Sequence, residues 1–536
     1  MLTWSKNCVR CCRRIACKSG FKTQRLRYSP CLLNSNSMQY TNKIPFQLTV
    51  PSGWARRSIL IFQIVALSLS TMVLAQKKSA PVNVLLLVSD DHSAPFLSCY
   101  GYPDVRTPNI DALAAEGLLF KNAFTTAPQC VLSRAGFMSG RSTLDVRMTR
   151  FSAPLSADVI TFPELLRKAG FYTGICGRNF HLNGNRNVKE SADVYDEYHL
   201  ETFANRVDYL KVNAVRDSIF GQYASFLDRV PKGKPFFLQV GYSDPHRVFD
   251  AKAFEPDPSK ITLPDTWPDT RLVREDFAAY LGEIQRLDVE VGRILDDLKK
   301  RGLDKNTLVV FVGDNGGALL RGKGTLYRTG LNVPLIMRLP GKIKAGQTST
   351  AIVSGEDLAP TILEAAGVNK LKEMTGVSLV PTFNNTSFEP REYVYAVRGA
   401  HGSGLPTNTA HFDLGRTVFD KRYKLVYNAT WQLPYFPVDF GAQPFWLQLT
   451  QLHAEGKLDP EADRLFFSPR RDMFELFDTQ TDPSETRNLT GDPALEQVEW
   501  RLKTALQKWM ILNEDFLPLP IPPAAQPAAV PVAGSK

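Results

Sequence analysis

The sequence predicts an α/β protein: a large, mostly parallel sheet flanked by helices, followed by a smaller C-terminal α+β domain. Three observations carry that expectation. Short apolar runs recur between residues 81 and 387, helical patterns separate them, and beyond Glu392 the pattern turns to antiparallel strands. Pro81-Val82-Asn83-Val84-Leu85-Leu86-Leu87-Val88 is continuously apolar, as a strand covered on both faces must be, and similar runs lie at 235–240 and 307–312. Between them, 110–117 reads as a helix. So does 276–300, where Leu281, Ile284, Leu287, Val291, Ile294, Leu295 and Leu298 fall at helical spacing. Residues 393–397 and 416–428 read as antiparallel strands, and a helix over 493–512 closes the fold. The expected division is a catalytic domain at 81–387, a smaller domain at 388–515, and a disordered Pro/Ala-rich tail at 516–536.

The net charge of +10 points to an anionic partner until its distribution is considered. Residues 1–57 hold 11 Lys or Arg and no acidic residue, and the first acid is Asp90. Beyond Ala75, 53 basic residues face 54 acidic ones, which removes the main support for nucleic-acid binding. Residues 1–75 read as an extension plus signal peptide. Arg56 and Arg57 precede an apolar stretch from Ser58 to Leu74, with Val73 and Ala75 placed for cleavage after Ala75. The apolar stretch is short for a membrane anchor and carries Gln63, so no stable anchor is expected. The expected location is outside the cell, in the periplasm, or in a lysosome-like compartment. Beyond the leader only Cys99, Cys130 and Cys176 remain, too few for a disulfide framework.

Two clusters carry candidate chemistry. The first predicted strand ends in Asp90-Asp91-His92 and the third in Gly313-Asp314-Asn315-Gly316-Gly317. In open α/β sheets ligands gather beyond the carboxyl ends of the strands, so both clusters can face one crevice. Three carboxylates and an amide brought together repel unless a cation lies between them, and oxygen ligands suit a hard ion such as Ca²⁺ or Mg²⁺. Either cluster alone reads better as strand caps and turns; two after matched strands favour a metal. Gly317–Lys323 approaches a phosphate-binding loop, but Gly324 stands where Ser or Thr would be needed, so a nucleotide site is discounted. Asn428-Ala429-Thr430 and Asn488-Leu489-Thr490 fit glycosylation sequons, which are common by chance.

Cys130-Val131-Leu132-Ser133-Arg134, followed by Ala135-Gly136-Phe137-Met138-Ser139-Gly140-Arg141, resembles the signature of the type I sulfatases, in which this Cys is oxidised to formylglycine. The segment departs from that signature at Leu132, where the family carries Pro or Ala, and at Ser139. Gly177-Arg178-Asn179-Phe180-His181 resembles the family's Gly-Lys-x-x-His element, with Arg for Lys, at the spacing of iduronate-2-sulfatase. Ser243-Asp244-Pro245-His246-Arg247 is similar to the Pro-His segment of heparan N-sulfatase. Gly322-Lys323-Gly324-Thr325-x-Tyr327 also matches, as do Arg422-Tyr423-Lys424-Leu425, Glu475-Leu476-Phe477-Asp478 and the segment from Asp482 to Leu489. The likeness runs in order over 81–512.

The resemblance implies an alkaline-phosphatase-like fold and a sulfatase acting on sulfate esters or sulfamates, on a sulfated saccharide in the glycan-acting members. It implies formylglycine made from Cys130 by the formylglycine-generating enzyme, and Ca²⁺, with Mg²⁺ as the alternative. Asp90, Asp91, Asp314, Asn315 and the modified Cys130 would hold the metal. Arg134, Arg178 and Lys323 would bind sulfate oxygens. His181 would act as base toward residue 130, and His246 would protonate the leaving group. Arg247 and Lys323 are the candidate substrate contacts. Two alternatives stand beside this reading: a phosphatase or phosphonate monoester hydrolase on the same fold, and a non-catalytic glycan-binding relative.

Overall fold

The computed structural model describes residues 81–520 except 152, 179–180, 185–188, 213–214 and 402–411; the leader, its cleavage site and the tail from 521 lie outside the described residues. Twelve strands form two sheets. They are β1 (Asn83–Ser89), β2 (Leu118–Phe124), β3 (Tyr172–Gly177), β4 (Tyr209–Lys211), β5 (Phe236–Gly241), β6 (Thr307–Gly313), β7 (Leu335–Arg338), β8 (Gln347–Ser354), β9 (Val394–Arg398), β10 (Gly415–Phe419), β11 (Tyr423–Asn428) and β12 (Phe474–Asp478).

The large sheet has the order β4-β3-β5-β1-β6-β7-β2-β8. Only β7 runs antiparallel to its neighbours. The expectation of a mostly parallel sheet therefore holds, and the three apolar runs, β5, β1 and β6, lie side by side at its centre. Their composition follows from this position. Alternate residues of β1 enter two different cores: Val84, Leu86 and Val88 join one, with Val131 and Phe137, while Leu85 and Leu87 join the other, with Tyr280 and Leu281. No face of the strand meets water, so no polar residue alternates. Each fully buried Leu or Val contributes about 1.5–3 kcal/mol.

The helix at Cys130–Ser139 covers one face of the sheet, and the long helix Arg271–Lys300 covers the other. The long helix starts before the apolar pattern does because Thr270 caps it, accepting from Val273 N at 3.2 Å.

Strands β12-β11-β10-β9 form a four-stranded antiparallel sheet. Helix Glu496–Leu512 packs Leu502, Leu506 and Met510 against Val418, Leu425 and Leu476 of that sheet. Both sheets belong to one compact unit. Among the described residues no helix is long and apolar enough to cross a membrane.

Candidate active site

Four adjacent parallel strands, β3-β5-β1-β6, end at one edge of the large sheet. Chain direction then delivers Arg178 and His181 from β3, His246 from β5, Asp90 and Asp91 from β1, and Asp314 and Asn315 from β6 to a single crevice. Cross-links beyond the strand ends hold the loops together. Asp90 N donates to Asp244 O at 3.2 Å, Asp314 N to Ser89 O at 3.1 Å, and Asp91 N to Asp314 Oδ1 at 3.0 Å. Gly177 is required where it stands: its φ is +94°, and a Cβ there would lie 2.1 Å from Gly241 O. Cys130 opens the helix that follows β2, and its Sγ lies 3.6 Å from Asp91 Oδ1.

The cluster is buried and rich in charge. Arg134 Nη2 lies 2.9 Å from Asp314 Oδ2 and 3.7 Å from Asp90 Oδ2. Lys323 Nζ lies 2.9 Å from Asp91 Oδ2. The loop that carries this lysine is folded back on itself by Lys323 N donating to Gly317 O at 2.7 Å, and a Cβ on Gly322 would fall 2.2 Å from that same oxygen. His246 Nε2 stands 3.6 Å from Asp91 Oδ2. Asp91, His181 and Asp439 all adopt left-handed backbone conformations, at φ 60°, 59° and 67°. Non-glycine residues visit that region rarely, and such strain concentrates at functional sites.

Burial alone would raise the Asp90 carboxyl, but Arg134, with Arg178, holds it well below the usual carboxylate range. Burial and the Asp90 charge push Asp314 up to about 7. Burial drives the Cys130 thiol far up, with Asp314, Asp90 and Asp91 adding to it and Lys323 opposing. Burial, aided by Arg134, lowers His181 to about 3, so its imidazole is neutral. Lys323 is kept charged against burial by Asp439 and Asp91.

These residues fit a cation. Both Asp90 oxygens and Asn315 Oδ1 are buried without a hydrogen-bond partner, an arrangement that costs several kcal/mol per group unless something else satisfies it. Asp90, Cys130 and His181 offer ligand atoms within 4.8 Å of one another, and so do Asp90, Asp91 and His246. Asp314, expected as a ligand, has both oxygens engaged by the protein. Its Oδ1 accepts from Asp91 N and Asn315 N, and its Oδ2 is held by Arg134. Arg247 is not free either. Its Nη1 donates to Asp276 Oδ1 at 2.7 Å, its Nε donates to Ala318 O, and its guanidinium stacks on Phe249.

Two residues of the site were not legible in the sequence. Asp439 Oδ2 lies 2.6 Å from Lys323 Nζ, and its Oδ1 lies 3.7 Å from His401 Nε2. Gln129, beside Cys130, donates to His401 Nδ1 at 3.1 Å. Both new residues come from the C-terminal part of the chain, where no motif marks them.

The Sulfatase family profile matches residues 82–368. This chain belongs to the sulfatase family. A second profile, N-sulphoglucosamine sulphohydrolase, C-terminal, matches residues 320–435. The sulfatase is 30% identical to human (Homo sapiens) N-sulphoglucosamine sulphohydrolase over 485 residues, which covers 83% of this chain and 93% of the relative. It is 28% identical to an ulvan-active sulfatase of Formosa agariphila over 478 residues, 82% of this chain and 76% of that one. Its fold matches a solved structure in complex with D-glucosamine-2-N,6-O-disulfate, with a TM-score of 0.62 and 20% identity, covering 82% of this chain and 99% of that one. The protein is a sulfuric ester hydrolase of the type I sulfatase family, with the large, mostly parallel sheet and the smaller antiparallel sheet expected from the sequence.

Proposed function

We propose that this sulfatase removes sulfate from an ester or sulfamate of a sulfated glycan, after oxidation of Cys130 to formylglycine and with a divalent cation in the crevice. The observation that carries the reading is the pair of buried Asp90 oxygens without a hydrogen-bond partner beside the buried Cys130 sulfur, flanked by Arg134 and Lys323. The glycan class is supported by the relatives named for sulfated sugars. Asp90, Asp91 and Asn315 would hold the cation with Asp314 alongside, and the all-oxygen set favours Ca²⁺, with Mg²⁺ as the alternative. The bound cation and the hydrated aldehyde would supply an oxygen nucleophile at neutral pH and a way to release sulfate from it.

The chain's own side chains do the rest. Arg134 keeps Nη1 without a partner inside the pocket, and Lys323 stays charged, so both offer donors to sulfate oxygens. Arg178 adds positive charge from the end of β3. His181, neutral and with Nε2 unpartnered, stands among the atoms around Cys130 and can take a proton from an oxygen at that position. His246 is 21% exposed, at the open side, where a departing oxygen or nitrogen needs a proton. Leu132 is fully buried in the core.

Export, the leader and maturation by a formylglycine-generating enzyme belong to the same proposal. A peptide mass spectrum across Cys130 of natively secreted protein should show the aldehyde. An unmodified thiol there, with no hydrolysis, would favour the non-catalytic glycan-binding reading. Parallel assays on aryl sulfate and aryl phosphate should favour sulfate; the reverse preference would favour the phosphatase or phosphonate hydrolase reading.

A further inference from the structure

Asp439 is the one acid of the cluster that sulfate chemistry does not call for. Asp90, Asp91 and Asp314 are 0–1% exposed, whereas Asp439 is 33% exposed and so faces the opening of the pocket. A carboxylate at the mouth of an anion-binding site works against the anion. Asp439 shares Lys323 with Asp91, at 2.6 Å and 2.9 Å from that amine, but of the two only Asp439 also reaches solvent. A carboxylate in this position is useful if the substrate brings a hydrogen-bond donor next to its sulfate. Saccharides do so, through neighbouring hydroxyls or an amine.

The surroundings favour such an acceptor. Asp439 is braced rather than mobile: Lys323 holds Oδ2, and His401, itself fixed by Gln129, faces Oδ1. His246 Nε2 lies 3.9 Å from Oδ2, so a group bound to Asp439 is next to the candidate leaving-group acid.

We propose that Asp439 is a specificity-determining residue that accepts a hydrogen bond from a hydroxyl or ammonium group adjacent to the sulfated position of the sugar. The assignment rests on the glycan reading above.

The test is a cycle of two enzymes and two substrates. Wild type and Asp439→Asn are assayed on sulfated monosaccharides, including N-sulfoglucosamine and glucosamine 6-sulfate, and on analogues in which one neighbouring hydroxyl or amine is replaced by hydrogen. Wild type should lose about 10- to 100-fold in kcat/KM on the analogue lacking the recognised donor, the cost of leaving a charged acceptor unpaired. Asp439→Asn should discriminate between the same two substrates by less than about threefold. Each discrimination is a ratio within one preparation, so partial loss of folded enzyme does not enter. If Asp439 only positions Lys323, both substrates slow equally and the ratio persists, which overturns the assignment. Equal rates of wild type on every analogue overturn it as well. A wild type that hydrolyses aryl sulfate but no saccharide overturns the glycan reading itself, a result distinct from the other two.

Discussion

As a thiol, Cys130 is unsuited to attack: burial and three neighbouring carboxylates keep it protonated at neutral pH. On the proposed reading its chemistry changes first, by oxidation to formylglycine. Replacement by Ala removes the precursor of the nucleophile from a buried, well-packed helix start, so Cys130→Ala should fold and show no turnover above background; measurable multiple turnover would refute its role. Lys323 presents the opposite problem. It is 1% exposed and carries its charge only because Asp91 and Asp439 face it. Lys323→Gln should lower kcat/KM by about 10²- to 10³-fold, the size typical of removing one preorganised donor. A loss below about threefold, measured on protein with unchanged circular dichroism, would show that this amine does not touch the sulfate.

Among the elements, the loop bearing Lys323 is anchored from the smaller sheet. Lys424 of β11 pairs with Glu485 at 2.9 Å, both 2% exposed, and Glu485 Oε2 accepts from Arg328 N at 2.8 Å. Tyr327 donates to Glu475 of β12 at 3.0 Å. The Lys424, Glu475, Glu485 and Asn488 positions in the C-terminal likeness are thus structural: Asn488 Oδ1 accepts from Leu476 N, and its Nδ2 donates to Phe474 O. Asn428 is buried with its Nδ2 donating to Asp472 O, so both sequons are occupied by fold-stabilising bonds. Breaking a buried pair strands a charge. Lys424→Met should cost about 3–5 kcal/mol in denaturant unfolding, and the double variant Lys424→Met/Glu485→Leu should recover most of that loss. A double variant as unstable as the sum of the two single ones would mean the pair is not coupled. The same elements show what sequence can and cannot carry. The central strands were legible because burial on both faces leaves an unbroken apolar run. The short strands β4 and β7 have three and four residues and no period to display. The acids of the crevice follow strand ends, where chemistry and position coincide. Asp439 and His401 reach the site only through packing of the smaller sheet's connections, which no local pattern encodes.

At the scale of the whole molecule, four strands of one sheet converge on a group of like charges, and the fold must tolerate them before any ligand arrives. Arg134 and Lys323 offset part of that repulsion, yet both Asp90 oxygens remain buried without a hydrogen-bond partner. A cation that satisfies them binds the folded chain and not the unfolded one, so its binding free energy becomes stability of the entire unit. Chelation should therefore lower the melting temperature, and Ca²⁺ at a hundred times its Kd should restore about 2.7 kcal/mol. Asp90→Asn removes one buried charge while keeping the shape. Its metal-free form should melt at or above metal-free wild type, its melting should respond little to Ca²⁺, and its turnover should fall by at least about 10²-fold. Calorimetric melts with and without chelator decide the point. If wild type is indifferent to Ca²⁺ and Mg²⁺ alike, or if Asp90→Asn gains as much from the ion as wild type does, then the convergence of strand ends serves some purpose other than holding a metal.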